Sequence, residues 1–367
     1  MDTDAVVIGA GVIGLSVAWK IADSGYSVVL LEKEARFGRG ISSRNTEVIH
    51  AGIYYRTPLK AGLCVRGKNL LYEHCVKYGV KHRRAGKIIL AVTEEEFSKL
   101  ESTKTQAVFN GVTDLVELDE AGIKKLEPGI SGKAALFSPS SGIVDTHGFM
   151  DSLLKLGEKR GVLFSALSPA LGAEYSDNHW KIEVGGREPA RISCRLVINA
   201  AGLYTVDLCK KVFPERNIPG FFPRKGSYAR YSGRSPVSHI IYPALIPGVI
   251  RPRIDATPDL GGSLRFGPTN EEPESLEDFS IIGELAEKVV PSVKSYFPDL
   301  DASRVYPDTA GIRPRIFAPG DPPLDFCFEW APIAGWLDLF GIESPGLTAS
   351  LAIGEHVLKM VDERGAL

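Results

Sequence analysis

The chain of 367 residues has a formal net charge of -2, with 44% hydrophobic and 24% charged residues, a composition typical of a globular protein with a substantial core. The balanced charge argues against nucleic acid as a partner, and no apolar run approaches the ~18 residues that a transmembrane helix requires. The five cysteines include no CxxC pair, so we expect no metal and a cytoplasmic location, with an organelle form lacking its leader as the alternative.

The first 32 residues have the pattern of a strand, a tight turn, a helix and a second strand. An apolar run, Ala5–Ile8, precedes the motif GxGxxG, and apolar residues at helical spacing follow it. The second strand is predicted at Val28–Leu31 and leads into Glu32, eighteen positions after the last glycine of the motif. This order predicts a βαβ unit that binds a dinucleotide.

Each residue of the motif has a physical role in that prediction. Gly9 permits the sharp turn, Gly11 lets the backbone approach a pyrophosphate, and Gly14 lets the helix pack closely on the strand. The helix N-terminus offers free N–H groups to the phosphates, and Glu32 can accept hydrogen bonds from ribose hydroxyls. The alternative is a glycine-rich turn in another kind of βαβ unit.

Further elements are predicted along the rest of the chain. We expect helices at 60–78, 94–109, 146–160 and 281–297, and strands at 87–92 and 196–198. Between residues 226 and 268, four β-type runs (SYARY, HIIYP, VIRPRI and SLRF) alternate with turn residues. That alternation is typical of an antiparallel sheet.

Two turns of small residues indicate further contacts with a ligand. The strand at 196–198 leads into Ala-Ala-Gly at 200–202, which predicts either a second backbone approach to a ligand or a tightly packed strand–helix corner. Near the C-terminus, a loop with Gly341, Pro345 and Gly346 precedes a helix predicted to end near Val361. The N-terminus of that helix could stabilise the negative charge of a reduced flavin.

Long blocks of the sequence resemble one family of flavoproteins. The chain resembles the D-amino-acid-oxidase superfamily of FAD proteins in GAGVIG with Glu32, SSRN, INAAG and GIESPGLTASLAIG. Within that superfamily it is most similar to the L-2-hydroxyglutarate dehydrogenase group, through RNTEVIHAGIYY, KAGLCVRGKNLLYEHC, KGSYARY, IYP, RFGP, AGIRPRI and IESPGLTASLAIGE. The blocks span nearly the whole chain, so the resemblance implies FAD as the cofactor.

The resemblance implies an α/β fold of the glutathione-reductase-2 type. An FAD-binding, Rossmann-like, doubly wound domain would comprise residues 1–84, 142–222 and 305–367. An interleaved substrate domain with a mostly antiparallel sheet would comprise residues 85–141 and 223–304. The substrate would lie between the two layers.

The resemblance also implies which residues contact FAD. The segment after Glu32 would run from the pyrophosphate toward the flavin ring through Ser42, Ser43, Arg44 and Asn45. The other implied contacts are Ala200, Gly202, Gly341, Ser344, Gly346, Leu347 and Thr348.

Oxidation of a 2-hydroxy acid requires a cation for the carboxylate and a base for the hydroxyl proton. His50 is the candidate base, since a neutral imidazole suits that role near pH 7, and a structural hydrogen bond is its alternative. Arg313 in AGIRPRI is the candidate for the carboxylate, with a surface ion pair as its alternative, and Arg315 is the weaker choice. We expect solvated surface positions for His74, His82, His179 and His356.

Several more residues are expected at the same cavity. Lys225, Tyr228 and Tyr242 would hold a second carboxylate or close the pocket, and Tyr54 and Tyr55 would line it. Packing within the sheet is the alternative for Tyr228 and Tyr242.

The chain departs from the related sequences after IYP. They usually read GLGVHxTLDLGG, whereas this chain reads PGVIRPRIDATPDLGG, so the histidine is absent and Asp255 falls near its place. Either Asp255 takes the hydroxyl proton, or it binds an ammonium group and thereby favours an amine substrate. Arg251, Pro252 and Arg253 are unfamiliar at this point and motivate the same alternative.

We therefore predict an FAD-dependent dehydrogenase or oxidase that converts a small L-2-hydroxy acid, similar to 2-hydroxyglutarate, to the 2-oxo acid by hydride transfer to flavin N5. The alternative is an FAD-dependent amine, amino-acid or specialised-metabolite oxidase on the same scaffold. The final electron acceptor (oxygen, a quinone or a carrier protein) is left open. A reductase with a free nicotinamide would be colourless, and a hydrolase has no support because GxSxG, P-loop and HExxH motifs are absent.

Overall fold

The structure, a computed structural model, describes residues 1–244 and 254–367. Its helices are α1 (Val12–Asp23), α2 (Pro58–Tyr78), α3 (Glu94–Phe109), α4 (Glu120–Leu126), α5 (Thr146–Lys159), α6 (Thr205–Val212), α7 (Leu285–Lys294) and α8 (Gly346–Arg364). Its strands are β1 (Ala5–Ile8), β2 (Val28–Leu31), β3 (Val48–Ile49), β4 (His82–Arg83), β5 (Lys87–Ala91), β6 (Val116–Asp119), β7 (Ala134–Ser138), β8 (Gly142–Val144), β9 (Leu163–Ser165), β10 (Ala170–Ser176), β11 (His179–Val184), β12 (Ala190–Cys194), β13 (Leu196–Asn199), β14 (Arg224–Tyr231), β15 (Ile240–Pro243), β16 (Asp255–Pro258), β17 (Leu264–Gly267), β18 (Val305–Arg313), β19 (Cys327–Trp330) and β20 (Trp336–Phe340). Within those described ranges, none of the helices is both long and apolar enough to cross a membrane.

The predicted elements agree closely with these bounds. Strands β1 and β2 and helix α3 coincide with their predictions. Helix α7 is shorter than predicted at both ends, and Gly283, which disfavours a helix interior, lies just before its start. Most of the predicted VIRPRI strand, including Arg251, Pro252 and Arg253, lies outside the described residues.

A six-stranded sheet has the order β19-β20-β13-β1-β2-β9 and is parallel except for its edge strand β19. One face packs on α1, α5 and α8, and the other packs on α6 and the three-stranded sheet β10-β11-β12. Because both faces are covered, β1 (AVVI) and β2 (VVLL) are continuously apolar. This arrangement confirms the predicted Rossmann-like α/β fold class.

An eight-stranded sheet, which we call the roof sheet, has the order β18-β14-β17-β16-β15-β5-β7-β6. Its neighbouring strands are antiparallel except for β15 and β5. Strands β5–β7 and β14–β17 come from the two segments predicted to form the substrate domain. Strand β18 pairs with β14 along its length, although the boundary predicted at residue 305 assigned it to the FAD-binding domain. The other domain boundaries remain a prediction.

The segment that follows β2 passes between the two sheets. Arg265 Nη1 in β17 donates to the Asn45 carbonyl oxygen at 2.8 Å. A Cβ on Gly311 in β18 would overlap the Arg44 carbonyl oxygen, so only glycine permits this close approach. The predicted flavin contacts are thereby held between the parallel sheet and the roof sheet.

Candidate active site

A cavity of about 1100 Å³ lies between the carboxyl ends of the parallel strands and the roof sheet. Its lining includes Gly9, Gly11 and Glu32 at the dinucleotide motif, and His50, Tyr54, Tyr228, Tyr242, Asp255 and Arg313 among the candidate substrate residues. The carboxyl edge of a parallel sheet is the usual ligand site in open α/β folds. One continuous space thus joins the nucleotide motif to the residues predicted for chemistry.

The glycine motif has the local geometry that the sequence predicts. Gly9 has φ +99°, and a Cβ there would lie 2.6 Å from the Ala200 carbonyl oxygen. A Cβ on Gly14 would overlap the Gly9 carbonyl oxygen, so Gly14 serves the packing of helix on strand and does not line the cavity. Gly11 lines the cavity, and a Cβ there would meet Ser42 Oγ at 3.1 Å.

The start of α1 is open to a ligand. Gly11 is its N-cap and has no side-chain capping hydrogen bond, while the Val12 N–H donates to Ser42 Oγ at 3.0 Å. Glu32, at the end of β2, accepts from the N–H groups of Ala10 at 2.8 Å and Glu34 at 3.0 Å. Those bonds fix the carboxylate at the cavity wall, and burial raises its pKa above the usual range.

The segment along the middle of the cavity divides into lining and supporting residues. Ser42, Arg44 and Asn45 line the cavity, as do Ala200 and Gly202. Arg44 lies with its guanidinium carbon 3.8 Å from the centre of the Phe279 ring, and its Nε has no hydrogen-bond partner among the described residues. An unpartnered buried donor in a cavity wall fits an anionic or polar ligand.

Ser43 does not line the cavity. Its hydroxyl donates to the Gly40 carbonyl oxygen at 3.3 Å and turns the short helical segment that precedes Arg44. The structure therefore gives Ser43 a supporting position, in place of the ligand contact that the resemblance implied.

Some of the residues predicted to contact FAD near the start of α8 line the cavity, and others do not. Ser344, Gly346 and Leu347 line the cavity, whereas Gly341 and Thr348 do not. Gly341 has φ +68° and faces Ile316. The nineteen-residue helix α8 begins after Pro345 without a side-chain cap, so its N-terminus opens toward the cavity.

Thr348 connects α8 to the strand that leads to His50. Its Oγ1 accepts a hydrogen bond from the His50 N–H at 3.0 Å and donates to the Val48 carbonyl oxygen at 3.3 Å. Thr348 thus positions His50 through the backbone and is completely buried.

The residues present fit FAD. Two uncapped helix N-termini, those of α1 and α8, open on one cavity, and each supplies partial positive charge for anionic groups. Glu32 lines the same cavity beside the glycine motif, where it can accept from a ribose, and Arg44 lines it with a free Nε donor. No cluster of metal-ligating side chains occurs in residues 1–244 and 254–367.

Arg313 is the cation of the candidate substrate end. It lies at the end of β18 and lines the cavity. It has no ion-pair partner in the part of the chain that the structure describes, whereas Arg230, Arg265 and Arg315 are each paired with a carboxylate. Arg313 can therefore bind an external carboxylate, and Arg315, which pairs with Glu343 at 3.7 Å, is less available.

Four tyrosines surround this end of the cavity as neutral phenols. Burial raises the pKa of Tyr54, Tyr55, Tyr228 and Tyr242 above the usual range. The Tyr54 hydroxyl is buried and has no hydrogen-bond partner among the described residues, so it is available to a ligand.

His50 is a neutral imidazole with a contact at each ring nitrogen. Its Nδ1 lies 3.4 Å from Lys87 Nζ, and its Nε2 lies 3.3 Å from Ser344 Oγ. Burial and the charge of Lys87 hold the pKa of His50 well below 6.5. The ring is therefore uncharged at neutral pH, with one nitrogen protonated and the other free to accept a proton, as the predicted role requires.

Lys87 and Asp255 add a pair of opposite charges. Lys87 is completely buried, and its Nζ lies 3.9 Å from the centre of the Tyr242 ring. Burial lowers the pKa of Lys87 and raises that of Asp255, and the charge of each residue opposes the shift of the other. Sequence analysis missed Lys87 because it begins an apolar run, KIILA, where a lysine normally marks an exposed strand end.

Lys225 is held apart from this group. Its Nζ lies 2.6 Å from Asp278 Oδ2, both side chains are almost fully buried, and Lys225 does not line the cavity. His74 also differs from its prediction, since it is buried in α2 and contacts Ser152 Oγ at 2.7 Å. Burial lowers the pKa of His74 to about 4.

Comparison with known proteins places this geometry in a family context. A family model described as DAO, FAD dependent oxidoreductase, matches residues 4–360. The mitochondrial L-2-hydroxyglutarate dehydrogenase of Arabidopsis thaliana is 35% identical, covering 96% of this chain and 82% of its own. The glycerol 3-phosphate dehydrogenase of Caloramator mitchellensis is 28% identical, covering 98% and 73%. Among solved structures, the FAD-bound L-alpha-glycerophosphate oxidase of Mycoplasma pneumoniae superimposes with a TM-score of 0.88 at 24% identity, covering 98% of this chain and 94% of its own.

Proposed function

The chain belongs to the DAO family of FAD-dependent oxidoreductases, and from that premise we propose that it oxidises a small L-2-hydroxy acid, similar to 2-hydroxyglutarate, to the 2-oxo acid. The observation that carries the proposal is the position of Arg313, a cation without an ion-pair partner among the described residues, in the same cavity as His50 and Asp255. When bound, FAD supplies the acceptor for the hydride that leaves C2.

Arg313 binds the substrate carboxylate in this proposal. A guanidinium offers two parallel N–H donors to the two oxygens of a carboxylate, which fixes both the position and the orientation of the substrate. Tyr228, on the neighbouring strand β14, is a neutral donor beside it. This arrangement would hold C2 of the acid in one orientation within the cavity.

Glu32, Gly11, Ser42 and Arg44 would hold the nucleotide and pyrophosphate, and the N-terminus of α8 would face the flavin ring. Each of these four residues lines the cavity. The proton of the substrate hydroxyl has two candidate acceptors, His50 and Asp255, which line the same end.

A second function, oxidation of an amine or amino acid, is favoured by one observation. Asp255 presents a carboxylate to the cavity, and a carboxylate can bind the ammonium group of such a substrate. The charge of Lys87 acts against this alternative, because it already compensates Asp255.

The test is anaerobic mixing of the FAD-loaded protein with a panel of compounds while the flavin absorbance is recorded. The panel contains L- and D-2-hydroxy acids with one and two carboxylates, the matching 2-amino acids, and glycerol 3-phosphate. We expect bleaching by L-2-hydroxy acids. Bleaching by amino acids alone would establish the alternative, and bleaching by glycerol 3-phosphate alone would reject a carboxylate substrate. Reoxidation by oxygen, a quinone or a carrier protein then identifies the electron acceptor.

A further inference from the structure

Lys87 is a buried cation at the active site that the proposed reaction does not use. It is 0% exposed, and the groups that face its Nζ come from several elements. His50 Nδ1 lies 3.4 Å away, the ring centres of Tyr242 and Tyr54 lie 3.9 Å and 5.5 Å away, and Asp255 and Cys64 act on it electrostatically. None of the described carboxylates lies within ion-pair distance.

The surroundings of Lys87 favour its ammonium form. The face of an aromatic ring attracts a cation, and the attraction grows when the cation is removed from water. Tyr242 and Tyr54 both present ring faces to Nζ, and Asp255 supplies negative charge nearby. A neutral amine would gain neither of these contributions.

An ammonium group has three hydrogen-bond donors and no acceptor. In its contact with Lys87, Nδ1 of His50 must therefore be the acceptor, and a neutral imidazole then carries its single proton on Nε2. We infer that Lys87 is a positioning residue that fixes His50 in the tautomer with the proton on Nε2. This inference rests on the proposed function only for its catalytic consequence.

The fixed tautomer changes what His50 can do. Its Nε2–H points to Oγ of Ser344, in the loop before α8, at 3.3 Å, and that oxygen lies 3.4 Å from the Tyr55 hydroxyl. At Nε2, His50 then has a donor directed at Ser344 Oγ and no free lone pair. It can bind a substrate oxygen, but it cannot take the hydroxyl proton at Nε2.

The proton acceptor is then Asp255. As the C2 hydrogen leaves the substrate with its electron pair, the hydroxyl proton passes to a carboxylate oxygen of Asp255, and the carbonyl of the 2-oxo acid forms. Burial raises the pKa of Asp255 above its usual range, against the charges of Lys87 and Arg313. A smaller fraction of Asp255 is therefore ionised near neutral pH, but that ionised carboxylate is a stronger base than an exposed one.

The tautomer can be measured without any substrate. Protein labelled with ¹⁵N-histidine and loaded with FAD is recorded at pH 7 by a long-range ¹H–¹⁵N correlation, and the His50 signals are assigned by their loss in His50→Gln. We expect the pattern of a neutral ring protonated at Nε2. A ring protonated at Nδ1, or at both nitrogens, would overturn the inference even if no variant of Lys87 folds.

Lys87→Met tests the cause, with Lys68→Met as the matched control. Lys68 Nζ bonds Ser140 Oγ at 3.2 Å and does not contact His50. Lys87→Met removes both the donor at Nδ1 and the nearby charge, so we expect loss of the single tautomer and a His50 pKa that moves up. Unchanged His50 signals in Lys87→Met, or equal changes in both variants, would refute the role of Lys87.

Rapid-reaction kinetics tests the catalytic consequence. The glutamine amide in His50→Gln can replace the Nε2–H donor, so we expect flavin reduction within about tenfold of wild type, whereas loss of the proton acceptor in Asp255→Asn should cost on the order of 10²–10⁴-fold. The reverse order would return the base role to His50. If no compound of the panel reduces the flavin, the proposed function fails, but the tautomer measurement still decides the role of Lys87.

Discussion

Replacement of Arg313 by methionine is the most direct test of how the substrate is held. The change keeps the length and apolar stem of the side chain while it removes the guanidinium. Arg313 has no direct ion-pair partner in the described residues, so the variant breaks no ion pair, although it removes one of the two charges, with Lys87, that act on Asp255. The effect should therefore fall on the ligand and leave the fold intact.

The magnitude follows from the two hydrogen bonds that a guanidinium gives to a carboxylate. A hydrogen bond to a charged group contributes about 1.5–3 kcal/mol, but Arg313 is partly exposed to the cavity, so water replaces some of this contribution. We take a net loss of about 3 kcal/mol, which is roughly a hundredfold increase in Kd. Arg313→Lys keeps the charge but lacks the planar guanidinium, so its Kd for the substrate should lie between those of Arg313→Met and wild type.

The assay is anaerobic stopped-flow mixing of FAD-loaded protein with the L-2-hydroxy acid that bleaches the flavin. The dependence of the reduction rate on substrate concentration separates Kd from the limiting rate. Arg224→Met is the matched control, because Arg224 stands opposite Arg313 in the β14–β18 ladder, bonds the Asn270 carbonyl oxygen and does not line the cavity. If Arg313→Met left Kd unchanged, or if Arg224→Met weakened binding equally, the carboxylate site would have to be elsewhere.

Two further substitutions test the glycine motif at Gly14 and the position of Lys225 outside the cavity. Gly14→Ala should give protein without bound FAD, since its Cβ would overlap the Gly9 carbonyl oxygen. The control, Gly62→Ala, places its Cβ in open space, so it should keep FAD and gain up to about 1 kcal/mol of helix stability. Flavin absorbance per polypeptide measures FAD content in both variants, and a yellow Gly14→Ala protein would contradict the packing argument. Lys225→Met should lower the free energy of unfolding by roughly 1–2 kcal/mol, because the half-buried Asp278 carboxylate loses its cation but keeps its donors from Glu274 and Ser280, and it should leave substrate Kd unchanged. Chemical denaturation and stopped-flow titration separate the two effects, and a stable variant with weakened binding would return Lys225 to the substrate site.

The βαβ unit could be predicted almost to the residue because its determinants are local. The apolar runs of β1 and β2 are buried on both faces, and the positive φ of Gly9 and the close packing of Gly14 are properties of one short turn. Glu32 follows directly from the end of β2. Nothing distant in the chain is needed to place these groups at the edge of the sheet.

The resemblance pointed to segments that line the cavity, but it did not give the direction of each side chain. Ser344 and Thr348 belong to one block, yet Ser344 faces the cavity and the Thr348 hydroxyl bonds the backbone of β3 and His50. Ser43 likewise points away from the cavity, although its neighbours Ser42 and Arg44 both line it. These directions are set by how α8 and the segment after β2 pack on other elements, which a block of sequence does not specify.

Lys87 could not be predicted because its burial depends on partners far away in the chain. A lysine at the start of an apolar strand normally ends in solvent. Here β5 lies between β15 and β7 in the roof sheet, so the side chain is enclosed by the rings of Tyr242 and Tyr54. The exchange of a histidine for Asp255 was visible in the sequence, but the cation that compensates it was not.

The charges at the substrate end also bear on the size of the substrate. Lys87 and Asp255 compensate each other, His50 is neutral, and Lys225 is paired with Asp278. Arg313 also acts on Asp255 electrostatically, but among the described cations at this end it is the one without a direct ion-pair partner and therefore the one left for a ligand. Within the described residues, ionic pairing is therefore available to a single carboxylate. The second carboxylate of a 2-hydroxyglutarate-like substrate would depend on neutral phenol donors, which discriminate less strongly than a guanidinium. A substrate panel that compares mono- and dicarboxylates consequently tests the charge balance of the cavity as well as its chemistry.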